Sequence, residues 1–105
     1  MSDHEYGAVV RAWKKWSEKV GVEVIEQPIS LPVSTKEKLI EDISKGITKK
    51  TKIIFISHIS SATALEFPVK EICDLAKNKG IITIVDGAHA PGQVNVDLNH
   101  IGCDF

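Results

Sequence analysis

The chain has 105 residues, of which 43% are hydrophobic and 26% are charged, a balance typical of one small globular domain and not of a disordered segment. The formal net charge of −1 argues against a surface that binds nucleic acid or an anionic membrane. No hydrophobic run approaches the roughly 20 residues that a bilayer span requires, and the first residues lack the pattern of a signal peptide, so we expect a cytoplasmic protein.

The first half of the chain predicts two amphipathic helices separated by a strand and a loop. In residues 5–20 the hydrophobic side chains recur every three or four positions, which is typical of a helix. Residues 22–27, VEVIEQ, alternate between hydrophobic and polar side chains and therefore predict a short strand. Two prolines make residues 28–35 a loop, and Thr35 can cap a second helix that ends near Gly46.

The second half predicts two buried strands, each followed by a polar loop. The strands are residues 51–57, TKIIFIS, and residues 81–85, IITIV, since short runs of β-branched side chains are typical of strands covered on both faces. Between them, residues 68–80 predict a helix with a proline in its first turn and a glycine after its end. Residues 96–105 predict a short helix or turn that leads into the first residues of another strand.

Alternating helices and strands predict an α/β fold with three layers, in which helices cover both faces of a mainly parallel sheet. Ligands of such sheets bind beyond the carboxyl ends of the strands. The loops that leave these ends carry a set of polar side chains: Ser57, His58, Ser60, Ser61, Thr63, Asp86 and His89. A three-stranded sheet would also leave bare edges, which natural proteins avoid, so we expect the middle of a larger structure or a chain that pairs with a copy of itself.

Asp86 directly follows a buried strand, and a carboxylate in that position loses hydration unless a positive group meets it. A protonated ring nitrogen of a cofactor is one such group. The sequence VDGAHA of residues 85–90 is the pattern expected for the aspartate that keeps the pyridine ring of pyridoxal phosphate protonated and electron-poor. The alternative is that Asp86 is only an acid that stabilises the turn after the strand.

Four motifs occur in one order along the chain: DHEYGAVVRAW at 3–13, SHIS and PVKEI within 57–72, VDGAHA at 85–90, and VD with IGCDF within 96–105. This ordered set resembles the class-V aminotransferases, the group that includes cysteine desulfurases and isopenicillin N epimerase-like proteins. The resemblance implies a pyridoxal-phosphate enzyme of fold-type I, with residues 1–105 forming a central fragment of its large domain. It also implies an amino-acid substrate and a homo-oligomer. No nucleic acid, membrane or metal is expected as a partner.

The resemblance assigns cofactor roles to four residues. It implies that Asp86 pairs with the pyridine nitrogen, that His89 contacts the phenolic oxygen, and that Tyr6 stacks on the ring. Ser61 falls where desulfurases carry an asparagine near the same phenolic oxygen. Ala64 replaces a glycine of the family, which predicts a crowded site or a shifted loop. The alternatives are that His89 bonds only within its loop and that Tyr6 only packs its helix.

No catalytic residue can be assigned within the chain. The resemblance implies that the family's Schiff-base lysine follows the last motif and that its phosphate-binding loop precedes the first, whereas Lys70 and Lys77 lie on a predicted helix. We therefore expect part of an enzyme that transaminates or epimerises an amino acid. Desulfurisation is less favoured, because neither Cys73 nor Cys103 lies where a mobile catalytic cysteine is expected. The alternative is a non-catalytic truncated fragment that folds or forms oligomers without activity.

Overall fold

The computed structural model describes residues 1–105. It contains four helices and two strands, in the order α1, α2, β1, α3, β2 and α4. Their bounds are α1 Gly7–Val20, α2 Lys36–Lys45, β1 Ile53–Ser57, α3 Val69–Lys77, β2 Ile82–Asp86 and α4 Leu98–Ile101. None of these helices has both the length and the hydrophobicity needed to cross a bilayer.

The two strands lie side by side and run parallel, as the sequence predicts for strands joined through a helix. Their register pairs Ile53 with Ile82 at the amino ends and Ser57 with Asp86 at the carboxyl ends. One further hydrogen bond continues the ladder, since the His58 N–H donates to the Asp86 carbonyl at 2.9 Å. The chain therefore leaves both strands at one edge of the sheet, the edge where α/β proteins bind ligands.

Helices cover both faces of this sheet. Ile54 and Ile56 of β1 lie in a hydrophobic core of twelve buried side chains, to which α2, α3 and α4 also contribute. Phe55 points to the opposite face, because side chains alternate along a strand. There it meets Trp13 of α1, with the two ring centroids 5.8 Å apart in an edge-to-face arrangement. This layering confirms the predicted α/β fold with a parallel sheet between helices.

The last residues pair with the edge of β2 that faces away from β1. The Phe105 N–H donates to the Thr83 carbonyl at 3.1 Å, and the Phe105 carbonyl accepts from the Val85 N–H at 2.9 Å. The Asp104 carboxylate accepts further bonds from the N–H and the hydroxyl of Thr83, and these bonds lower the pKa of Asp104. Phe105 therefore pairs with β2 at one position, although residues 102–105 form no assigned strand.

The strand predicted at residues 22–27 is wrong. These residues form no strand, and Ile25 stays exposed. Only Gln27 joins a ladder, through one bridge in which its N–H donates to the Met1 carbonyl at 2.8 Å and its carbonyl accepts from the Asp3 N–H at 3.0 Å. Since no neighbouring strand offers this segment a longer ladder, the sheet has two assigned strands and not three.

Candidate functional site

Asp86 is the last residue of β2 and lies half-buried at the carboxyl edge of the sheet. Its Oδ1 accepts a hydrogen bond from the Ala88 N–H at 3.0 Å, which closes the turn after the strand. Its Oδ2 makes no hydrogen bond within the chain, and Asp86 takes part in none of the ion pairs. The turn therefore accounts for one carboxylate oxygen, and the other is available to a ligand.

His89 lies in the exposed turn that follows β2. Its carbonyl accepts a hydrogen bond from the side-chain amide of Gln93 at 2.6 Å, so its backbone helps to close the loop. Its imidazole has no hydrogen-bond partner within the chain. The backbone of His89 therefore bonds within its loop, whereas its ring makes no hydrogen bond there.

Tyr6 is the N-cap residue of α1, and 55% of its surface is exposed. Its carbonyl accepts the N–H groups of Val9 and Val10 at 2.9 and 3.1 Å, which begins the helix. Its ring lies outside the hydrophobic core. More than half of the residue is therefore accessible from solvent.

Ser61 is exposed in the loop of residues 58–67 that follows β1. The neighbouring Ser60 is buried and holds this loop, since its hydroxyl lies 2.8 Å from that of Thr63. Ala64 has a φ of 52°, in the left-handed region that glycine adopts freely and other residues adopt at a cost. The loop thus keeps a turn of the kind that glycine forms, with the strain placed on Ala64.

Glu5 is a functional candidate that the sequence patterns do not single out. It is buried, with 6% of its surface exposed, although acids just before a helix are usually solvated. Its Oε2 accepts the N–H of Ser57 at 2.9 Å and the hydroxyl of Ser57 at 2.5 Å, and its Oε1 accepts the hydroxyl of Ser2 at 2.5 Å. Only its place beside Tyr6 in the DHEYG motif could have indicated it.

Three segments of the chain meet at the carboxyl edge of the sheet. Glu5 binds Ser57, and Ser57 is the register partner of Asp86. His4 Nδ1 lies 2.8 Å from the hydroxyl of Thr63, which joins the same N-terminal residues to the loop after β1. The segments that meet here carry all four predicted site residues: Tyr6, Ser61, Asp86 and His89.

The two lysines Lys70 and Lys77 lie on α3, and so does one of the two cysteines, Cys73. Lys70 forms an ion pair with Asp74 on α3, and Lys77 ends that helix, which leads back toward the amino end of β2. Cys73 is buried in the core, and burial raises the pKa of its thiol, so the thiol stays protonated near neutral pH. Cys103 is the other free cysteine and is half-buried.

The family model described as Aminotransferase class-V matches residues 1–105. The chain belongs to the class-V aminotransferase family. This membership confirms the family that the four ordered motifs indicate. Enzymes of the family depend on pyridoxal phosphate.

Individual relatives of this family member share about a third of its residues. It is 34% identical over 105 residues to an isopenicillin N epimerase of Streptomyces clavuligerus, covering 100% of this chain and 26% of that protein. It is 34% identical over 101 residues to a probable cysteine desulfurase of Halalkalibacterium halodurans, covering 96% of this chain and 24% of that protein. The chain therefore spans about a quarter of the length of these relatives.

The fold also matches solved structures. The cysteine desulfurase CsdA of Escherichia coli superposes with a TM-score of 0.84 at 20% sequence identity, over 99% of this chain and 25% of that chain. At this identity the likeness concerns the fold. It shows that the parallel strands and helices described above form part of the fold-type I architecture.

The carboxyl edge of the sheet suits the pyridine ring of pyridoxal phosphate by its own chemistry. A pyridinium N–H requires a negatively charged acceptor, and Asp86 offers a free carboxylate oxygen without a competing cation. An aromatic ring requires a face to stack against, and the exposed ring of Tyr6 lies in the segment that Glu5 ties to β1. The residues present therefore fit the ring of the cofactor.

Proposed function

We propose that this chain forms the ring-binding part of a pyridoxal-phosphate site in an enzyme that transaminates or epimerises an amino acid. Membership of the class-V family supports the cofactor, and the relatives named isopenicillin N epimerase support epimerisation. Bound pyridoxal phosphate supplies an electron-poor ring that accepts negative charge from the α-carbon of an amino acid. In this proposal residues 1–105 belong to the middle of the enzyme's large domain.

Asp86 has the main role in this site. Its Oδ2 would accept the hydrogen bond of the ring N–H, and its negative charge would keep that proton on the nitrogen. The Ala88 N–H holds the other oxygen and so fixes the orientation of the carboxylate. The observation that carries the proposal is this half-buried carboxylate at the end of β2, with one free oxygen and no cation beside it.

The other three residues lie on the segments that meet at the same edge, and each would contribute one contact to the ring. Tyr6, which is exposed at the start of α1, would stack on the ring and shield it from water. His89, whose imidazole has no partner within the chain, would donate a hydrogen bond to the phenolic oxygen. Ser61 adds a hydroxyl from the loop after β1.

A titration with pyridoxamine phosphate tests this function, because the compound has no aldehyde and does not react with surface lysines. Amide NMR shifts of the isotope-labelled chain are followed, and we expect changes at residues 86–89 and at Tyr6. Asp86→Asn should bind at least about tenfold more weakly, because the ionic hydrogen bond to the ring nitrogen is lost. Asp74→Asn, at an exposed acid of α3, is the matched control. Equal affinities for wild type and Asp86→Asn would contradict the proposal.

A second proposal is that the chain folds or forms oligomers without catalytic activity. The ion pair of Lys70 and the position of Lys77 at the end of α3 support it. Incubation with pyridoxal phosphate followed by borohydride reduction tests this second proposal directly. A stoichiometric adduct on one lysine that disappears in Asp86→Asn would contradict the non-catalytic proposal, whereas scattered and incomplete labelling supports it.

We also propose a cytoplasmic location and association with a second copy of the chain. Trp16 and Val20 of α1 are 61% and 60% exposed, and Ile53 is exposed at the open edge of β1. Hydrophobic surfaces of this kind are buried in subunit interfaces. Sedimentation velocity should therefore show a species heavier than the monomer of 11.5 kDa, and a monomer at every concentration would contradict the association.

A further inference from the structure

Glu5 is a buried carboxylate that forms no ion pair. Its three hydrogen bonds come from neutral donors, which are the N–H and hydroxyl of Ser57 and the hydroxyl of Ser2. Burial of a carboxylate is unfavourable unless such bonds replace its hydration. The side chain is therefore held in one place by a small set of donors that can be tested individually.

These bonds join two segments that are far apart in sequence. Glu5 immediately precedes Tyr6, and its Oε2 binds the last residue of β1, Ser57. Two helical turns later, Trp13 contacts Phe55 of the same strand. The N-terminal segment and α1 thus contact β1 through two residues, Glu5 and Trp13. Tyr6 lies between these two residues in the sequence.

We infer that Glu5 is a positioning residue that fixes Tyr6 relative to Asp86. Its partner Ser57 is the register partner of Asp86, so a single carboxylate links the aromatic residue to the acid. The inference rests on the proposed function, because the relative position of the two side chains matters when both contact one ring. Glu5 acts through Tyr6 and itself touches no ligand.

Amide hydrogen exchange in the ligand-free chain tests the attachment. Glu5→Gln keeps the length of the side chain and removes its charge, and Glu18→Gln, at an exposed acid of α1, is the matched control. We expect the Ser57 amide to exchange about tenfold faster in Glu5→Gln, with amides of α3 unchanged. Ser57→Ala, which removes only the hydroxyl donor, provides a milder variant if Glu5→Gln unfolds. Unchanged exchange at residue 57 in Glu5→Gln, or at Val9 and Val10 in Ser57→Ala, would overturn the inference.

Affinity for pyridoxamine phosphate tests the positioning role. We expect Glu5→Gln and Tyr6→Ala to weaken binding by similar factors and the double variant to weaken it no further, because one residue acts through the other. Additive losses, or an unchanged affinity for Glu5→Gln, would overturn the inference and leave the proposed function intact. If wild type binds no pyridoxamine phosphate, the proposed function fails and the positioning role fails with it.

Discussion

Ala64 lies in the loop after β1 with a φ of 52°, a conformation that costs an alanine about 1–2 kcal/mol and a glycine almost nothing. A glycine there also increases the conformational entropy of the unfolded chain, which lowers the free energy of unfolding by about 0.4–1 kcal/mol. We therefore expect Ala64→Gly to raise the free energy of unfolding by up to about 1 kcal/mol in urea denaturation. Ala62→Gly, in the same loop without a positive φ, is the control and should lower it. Equal losses in the two variants would mean that Ala64 is unstrained.

Asp42 is a buried acid of α2 whose charge is stabilised by its neighbours. The Lys45 ammonium donates to it at 2.8 Å and the Ser30 N–H at 3.0 Å, and these bonds hold the pKa of Asp42 well below its ordinary range. The unfolded chain, in which the pKa is about 4, therefore takes up the proton first as the pH falls. The stabilisation is complete above that pH and is lost progressively below it.

Acid denaturation should show this contribution of Asp42. We expect the free energy of unfolding of the wild type to fall as the pH drops from about 5 to about 2, and to fall less steeply in Asp42→Asn. Asp74→Asn, at an exposed acid, should keep a slope close to that of the wild type. Urea denaturation at several pH values measures these slopes, and parallel slopes for wild type and Asp42→Asn would contradict the assignment.

The sequence could indicate Asp86 but neither of the two buried acids. Asp86 follows a hydrophobic strand, so its place at the edge of a parallel sheet can be deduced from the local pattern. Glu5 and Asp42 each accept one bond from a residue three positions away, but the backbone N–H groups that they also bind, of Ser57 and Ser30, are distant in the sequence. No local feature distinguishes such acids from the many that stay solvated on helices.

At the scale of elements, α1 is attached to the sheet mainly through one aromatic residue. No residue of α1 is fully buried, and the ring of Trp13 packs against Phe55. We expect Trp13→Ala to lower the free energy of unfolding by about 2–3 kcal/mol, through lost packing and the lost aromatic pair. Lys15→Ala, at an exposed position of α1, is the control and should cost less than about 0.5 kcal/mol in the same urea denaturation. Similar losses would contradict the role of Trp13.

The sequence correctly predicts the elements for which two features agree: the pattern of hydrophobic residues within the element and the residues that mark its ends. Runs of β-branched residues between loop residues predict β1 and β2, and Thr35 caps α2 with a hydroxyl that accepts the Lys38 N–H at 3.2 Å. In residues 22–27 the only such feature is the alternation of hydrophobic and polar side chains. Alternation specifies which face of a strand is hydrophobic, but it carries no information on whether a partner strand lies within reach.

The whole molecule is a narrow parallel sheet with helices on both faces and a polar edge. Its topology could be predicted, because a crossover through a helix makes consecutive strands parallel and places their carboxyl ends together. The composition of the edge could be predicted only in part, since the N-terminal segment reaches it through Glu5 and His4 and not through the register of the strands. The chain spans about a quarter of the length of its relatives, and the proposed ring site lies on three of its segments.

The protonation state of a bound pyridine ring tests the central claim most directly. Pyridoxamine phosphate labelled at its ring nitrogen is bound to the chain, and the nitrogen chemical shift is followed as the pH rises. We predict that the bound nitrogen stays protonated at pH values where the free compound has lost its proton, and that Asp86→Asn abolishes this difference. A nitrogen that titrates in the wild-type chain as it does in free solution would contradict the claim.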